Sequence, residues 1–394
     1  GRGAVTRRRP VYLDHQATTP LDPRVLEAML PWLTADFGNA ASRQHAHGWA
    51  AESAVAAARE EIAEALGAEP REIVFTSGAT ESNNLAILGV ARAARTKGNH
   101  VVTSAVEHRA VLDPCRQLEA EGFEVSVLAP DAHGRVAVES VAEALTGRTV
   151  LVSVMAANNE VGTRNPVAEI GALCAEKGVP FHADAAQAFG KVPFDVRPGV
   201  ALASLSAHKL HGPKGVGALY VRARPRVPLS PIVHGGGHER GLRSGTLNVP
   251  GIVGFGAAVR LARREGEAER QRLATLRDRL DGLIRGALDG VVLNGHPVDR
   301  LPGNLSLSFS GVDGERLISS LRDLAVSSGS ACTTALAEPS HVLRALGLPE
   351  ALAKATIRFG LGRFTTEAEV DFAAETVVAT VLRLRGEMAS RSLA

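Results

Sequence analysis

The chain has 394 residues, of which 45% are hydrophobic and 22% charged, and its 44 basic and 42 acidic side chains nearly cancel. That composition excludes a largely disordered chain and supports a large buried core, in two domains or one large domain with an appendage. The charge balance argues against a dedicated nucleic-acid or anionic-membrane binder, and no apolar stretch approaches the ~20 residues of a membrane span. The basic N-terminus, Gly1 to Pro10, lacks the apolar region of a secretory signal.

From about residue 20 to 250 short apolar runs alternate with helical stretches, the pattern of a parallel α/β fold. Asp22-Pro23 supplies N-cap and N1 chemistry for a helix through Leu26, Met29, Leu30 and Leu33. Ile73 to Thr76 reads as a buried strand, and Ser77-Gly78-Ala79-Thr80 turns into a helix starting near Glu81. Further strands are expected at 101–103, 125–128, 150–154, 180–184, 203–206 and 217–221. Beyond Gly251 the texture changes. A long charged helix carries Leu273, Leu276, Leu280, Ile284 and Leu288 on one stripe, and a strand follows with Leu305, Leu307 and Phe309. Then come a helix through Leu317 and Leu321, a short strand at Ala325-Val326, a loop from Ser327 to Pro339, and a last helix opened by a Thr366-x-x-Glu369 capping box. This part reads as a smaller α+β domain.

Several segments carry chemistry. The turn at Ser77 to Thr80 places free N–H groups at a helix N-terminus, which can hold a phosphate, although such residues also serve as plain caps. Asp184 ends an apolar strand, where it needs a cationic partner or a capping role. Lys209 lies just past another strand in Ser206-Ala207-His208-Lys209, fit for Schiff-base chemistry if desolvated, or else a solvated strand-end lysine. A phosphate cradle, an Asp and a Lys on successive strand ends together form what a pyridoxal phosphate pocket requires. With six lysines against 38 arginines, few positions could carry that role. His108 follows a strand and could stack on a planar cofactor or exchange protons. The three cysteines form no metal or disulfide spacing. Cys115 and Cys174 sit in amphipathic helical contexts, whereas Cys332 lies in the small polar run Ser327 to Thr334, a setting for a reactive thiolate. The pairs His208/His211 and His234/His238 leave a metal-binding reading open.

These segments resemble a family. Asp14 to Pro20, Phe75 to Asn84, Asn158 to Gly162, His182 to Gln187, Ala207 to Lys209, Gly235 to Thr246, Ser327 to Thr333 and Arg358 to Arg363 are together similar to group I (NifS/IscS-type) cysteine desulfurases, within the class V pyridoxal phosphate enzymes. The similarity runs from about residue 11 to 385. It implies fold type I: a large domain (16–258) with a mostly parallel seven-stranded sheet flanked by helices, and a small α+β domain (1–15 and 259–394) carrying Cys332. It implies that Lys209 holds pyridoxal 5'-phosphate, Asp184 pairs with the ring nitrogen, and His108 stacks on the ring. Gln187 and Asn159 would meet the phenolic oxygen or the substrate, and Ala79, Thr80, Ser206 and His208 the phosphate. Thr246 would reach the phosphate of a neighbouring subunit, so a homodimer is implied. Arg358 would bind the carboxylate of L-cysteine, and Cys332 would take the sulfur as a persulfide, leaving alanine. No intrinsic metal is implied, with Cys332 a possible transient iron–sulfur ligand. The acceptor would be an iron–sulfur scaffold or a tRNA-thiolation relay, in a reducing compartment: the cytoplasm, or the mitochondrial matrix if the basic N-terminus is a processed transit stub. A selenocysteine lyase or another class V enzyme is the alternative within the fold, and a non-catalytic metal-binding assembly protein the alternative outside it. Two departures stand out. His211 replaces a usual tyrosine, and only Gly386 to Ala394 follow Arg385, a shorter tail than scaffold-docking relatives carry.

Overall fold

The computed structural model describes residues 9–328 and 338–392. In chain order, the first elements are β1 (Val11–Tyr12), α1 (Pro23–Leu33), α2 (Ala46–Leu66), β2 (Ile73–Thr76), α3 (Ala79–Ala93), β3 (His100–Ser104), α4 (Arg109–Ala120) and β4 (Glu124–Leu128). They continue with α5 (Val138–Ala144), β5 (Thr149–Ser153), α6 (Val167–Glu176), β6 (Phe181–Asp184), β7 (Leu202–Ser206), β8 (Gly217–Val221) and α7 (Val249–Ala287). The remainder is β9 (Val291–Asn294), β10 (Asn304–Phe309), α8 (Gly314–Ser320), β11 (Leu324–Ala325), β12 (Ser327–Ser328), α9 (His341–Ala345), α10 (Glu350–Lys354), β13 (Thr356–Gly360) and α11 (Glu367–Ser392).

Seven strands form the central sheet in the order β2-β8-β7-β6-β5-β3-β4. Only β8 opposes the others, pairing antiparallel with both β2 and β7. The strands are short and, apart from the edge strand β4, buried along their whole length, as sheets covered on both faces require. Alternation along each strand sorts the side chains. Ile73, Phe75, Ala203, Leu205, Ala218 and Tyr220 enter one core with α2 and the start of α7. Val74, Leu202, Leu219 and Val221 enter the opposite core with α3 and α4.

The helix α7 runs 39 residues without a break from its cap, where the Asn248 side chain accepts from Gly251 N. Its first turns are glycine- and alanine-rich because other helices press against them. A Cβ on Gly256 would lie 2.8 Å from the Cα of Ala58. Further along, Leu273, Leu276, Leu280 and Ile284 join a separate cluster with Leu307, Phe309, Phe359, Val377 and Leu384. That cluster backs a four-stranded sheet of order β12-β13-β10-β9. The N-terminal segment crosses into it: Leu13 is one of its core residues, and β1 pairs with β11.

The expected strands and helices are present with small changes of boundary. The helix after Thr76 begins at Ala79 rather than Glu81. Ser327-Ser328, read as loop, pairs instead with Arg358 and Ile357 of β13. The Thr366 capping box is formed, with reciprocal bonds of 2.9 and 3.2 Å to Glu369.

Candidate active site

All strands of the central sheet except β8 point their C-terminal ends toward one edge, where open α/β sheets bind ligands. A cavity of about 590 Å³ lies there. Ala79, Thr80, His108, Asn159, Asp184, Gln187, Ser206, His208, Lys209 and Arg358 all line it. Thr246 is exposed, before α7, and does not line it. Cys332 lies outside the described residues, but Ser327 and Ser328 on one side of it in sequence and His341 on the other line the cavity.

At the β2–α3 turn Gly78 adopts φ 155°, ψ −178°, a conformation essentially limited to glycine. An added Cβ there would meet nothing within 4 Å, whereas one on Gly217 would lie 2.7 Å from the Cα of Gly78. The turn thus packs on β8 from behind and leaves the N-terminus of α3 open to the cavity. Glu81 secures the turn, accepting from Ser77 N at 2.7 Å and from Arg243 Nε at 2.6 Å.

Asp184 ends β6 and is 5% exposed. Its Oδ1 accepts from Ala186 N at 3.0 Å and its Oδ2 from Asn83 Nδ2 at 2.9 Å. Lys209 ends the turn after β7, and its Nζ donates to the carbonyls of Gln16 and Ala17 at 2.5 and 2.6 Å. Burial first, then the Arg358 charge, pushes its pKa down to about 8, against the pull of Asp184 and Asp14. Its neighbour His208 is pushed down to about 4 by burial and by the charges of Lys209 and Lys214. The Ser206 hydroxyl is buried and has no partner.

The other side of the cavity carries the Arg358 guanidinium. Arg358 on β13 donates to Asp14 Oδ1 at 2.9 Å, to Ser327 Oγ at 3.1 Å and to the Asn159 carbonyl at 3.2 Å. Its Nε is buried without a partner. His108 caps α4, with Nδ1 accepting from Ala110 N at 3.0 Å, so the neutral ring carries its proton on Nε2. Beside Asn159, Glu160 is pushed up to about 7 by burial, opposed by a hydrogen bond from Ser340 and by the Arg358 charge.

These residues fit pyridoxal phosphate. Helix-terminal N–H groups and an unpartnered serine hydroxyl suit the phosphate, and a rigidly held carboxylate suits a protonated ring nitrogen. A partly desolvated amine suits the aldehyde. Sequence reasoning assigned no roles to Gln16, Asn83, Asp14 or Glu160. All four lie in the quoted segments, yet their contacts span distant parts of the chain and have no local signature. Cys115 and Cys174 are buried, and burial pushes both thiols up to about 12, which suits packing. No group of three or more potential metal ligands occurs among the described residues.

Residues 11–372 match the model of the class-V aminotransferases. The chain belongs to the class-V aminotransferase family. Its curated relatives narrow this to the NifS/IscS-type cysteine desulfurases of that pyridoxal phosphate family. The chain is 58% identical over 377 residues to the cysteine desulfurase IscS of Anaeromyxobacter dehalogenans, covering 95% of this chain and 93% of that protein. It is 54% identical over 377 residues to the IscS of Rickettsia bellii, covering 95% and 92%. Among solved structures, a NifS-like protein superposes with a TM-score of 0.89 at 38% identity, over 95% of this chain and all of that one. A structure described as SspA in complex with cysteine gives 0.80 at 40% identity, over 90% and 99%.

Proposed function

We propose that this enzyme converts L-cysteine to L-alanine and places the sulfur as a persulfide on Cys332. The observation that carries the reading is one cavity joining Lys209, Asp184 and the open end of α3 to Arg358, lined also by Ser327 and Ser328, which precede Cys332 in sequence. Bound pyridoxal phosphate supplies an electron sink that acidifies the substrate Cα–H and activates the Cβ–S bond. Lys209 would hold the cofactor, and its amine would serve as a base for the substrate α-proton. The Asp184 carboxylate, fixed by Asn83 and Ala186, keeps the ring nitrogen protonated. Ala79, Thr80, Ser206 and His208 hold the phosphate, and Gln187 faces the phenolic oxygen. The planar fork of Arg358 takes the substrate carboxylate, aimed by Asp14 and Ser327. His108 would lie against the cofactor ring, with Nε2 free to exchange a proton. The Cys332 thiolate attacks the substrate sulfur. An S–S bond forms as the Cβ–S bond breaks, the electron pair stays with carbon, and a proton completes alanine.

Residues 16–258 serve as the cofactor-binding domain, with residues 1–15 and 259–394 as the smaller domain that carries Arg358 and Cys332. A homodimer in which Thr246 meets the neighbouring phosphate site accounts for its exposed position outside this chain's cavity. The persulfide passes to an iron–sulfur scaffold or a thiolation relay in the cytoplasm. No helix among the described residues is long and apolar enough to cross a membrane.

Two measurements test the reading. Borohydride reduction followed by peptide mapping places a pyridoxyl label on Lys209. The Cys332→Ser variant keeps the visible cofactor band and loses persulfide formation and sulfide release. Survival of cysteine desulfuration in that variant would overturn the mechanism.

A further inference from the structure

Lys191 has no part in the roles assigned above. It follows the turn after β6, and its Nζ donates to Oε1 of Gln187 at 2.8 Å. At the other end of the same amide, Gln187 Nε2 donates to the Gln16 carbonyl at 2.9 Å. That carbonyl also accepts from Lys209 at 2.5 Å. The Gln187 amide is therefore fixed at both ends. The Gln16 carbonyl can only accept, so the Gln187 group facing it is the NH2 and the group facing Lys191 is the carbonyl oxygen.

A second, smaller cavity of about 40 Å³ lies behind the site, large enough for a few waters. Lys191, Gln16 and Lys209 all line it. Lys191 meets Glu269 and Arg270 of α7 across that space, with Arg363 and His15 from the chain around β13 and β1 and His211 from the turn after Lys209. Glu269 is already bonded to Arg363 at 2.9 Å. That carboxylate is thus shared with Arg363, and the described side-chain hydrogen bond of Lys191 is to Gln187. Burial, then the Lys209 and Arg358 charges, pushes the Lys191 pKa down to about 7, with Glu269 opposing. An amine donates in either protonation state, so the bond to Gln187 persists across neutral pH.

We propose that Lys191 is a positioning residue that holds the Gln187 amide with its N–H group, not its carbonyl, presented to the phenolic oxygen of the cofactor. The inference rests on the pyridoxal phosphate reading above. Without Lys191, Oε1 of Gln187 is left buried and unpartnered, and the amide keeps only its bond to the Gln16 carbonyl, so its N–H is held less firmly toward the cofactor. An oxygen that loses a donor becomes more basic.

The test uses the resting holoenzyme without substrate and reads the visible absorbance band of the bound cofactor against pH. Lys191→Met, close in length and uncharged, raises the midpoint of that titration by about 1 pH unit. It also weakens cofactor binding to the apoenzyme by about 10-fold, as the loss of one hydrogen bond does. Lys191→Arg restores both. The effect disappears when Lys191→Met is made in a Gln187→Leu background. An unchanged midpoint in Lys191→Met overturns the proposal, and so does the same shift in the Gln187→Leu background, which would mean that the charge acts directly through space. Failure of the pyridoxal phosphate reading is separate, since the wild type would then show no band on Lys209.

Discussion

Glu107 permits a test of the buried electrostatics beneath the site. It lies immediately before His108 and is fully buried. Its Oε1 accepts from Ser104 Oγ at 2.6 Å and from Met155 N at 2.9 Å, while Oε2 is buried without a partner. Burial pushes its pKa from 4.5 up to about 8, the two hydrogen bonds oppose this, and the Asp184 charge adds to it. The folded state therefore keeps a proton that the unfolded chain releases above its ordinary pKa, so stability falls as pH rises through this window. At about 1.36 kcal/mol per pH unit, the loss across the window is at most about 4–5 kcal/mol. Glu107→Gln removes it at small structural cost. The amide oxygen takes both bonds now made to Oε1, and the NH2 group occupies the place of the protonated Oε2. Urea unfolding of both holoenzymes at matched concentration, from about pH 5 to about pH 8.5, should show near-equal stability at the acid end. The variant should gain about 2–4 kcal/mol over the wild type at the alkaline end. A difference that stays flat across this range would show that Glu107 is ionised in the fold and refute the reasoning.

Lys209 makes a second prediction about pH. Its amine reacts when neutral, so the rate at which apoenzyme recovers its visible band on mixing with pyridoxal phosphate should rise with pH and level off above about 8, the value set by burial and Arg358. A rate still climbing toward the ordinary lysine value of 10.5 would show that the amine is not perturbed. Arg358→Lys keeps the charge and loses the planar fork. Steady-state kinetics should show KM for cysteine raised about 10- to 100-fold, the equivalent of one charge-assisted hydrogen bond. An unchanged KM would place the substrate carboxylate elsewhere.

How much of this was legible in the sequence follows the range of each interaction. The central sheet could be read because its strands are short runs, all but the edge strand β4 buried throughout, and that signal is local. The turn at Gly78 and the capped Thr366 helix were legible for the same reason. Ser327-Ser328 was not. Two small polar residues carry no strand periodicity, and only the pairing with Arg358 and Ile357 makes them one. The joint order of phosphate cradle, Asp184 and Lys209 pointed to the cofactor because successive strand ends of a parallel sheet converge on one edge. The residues that hold those groups in place come from elsewhere. Asn83 reaches Asp184 across 101 positions, and Asp14 reaches Arg358 across 344.

The N-terminal segment explains the second of these spans. Its backbone passes from the strand pairing with β11 to the edge of the cofactor cavity within a few residues. On the way Asp14 bonds Arg358, and the Gln16 and Ala17 carbonyls receive Lys209. One short stretch thereby ties Arg358, the proposed carboxylate site, to the amine that would carry the cofactor. It also couples their charges: the Arg358 cation lowers the Lys209 pKa while Asp14 raises it. A substrate carboxylate arriving at Arg358 would cancel part of that cation's field. The same argument gives the direction of the response, since Lys209 then holds its proton more firmly once the substrate is bound.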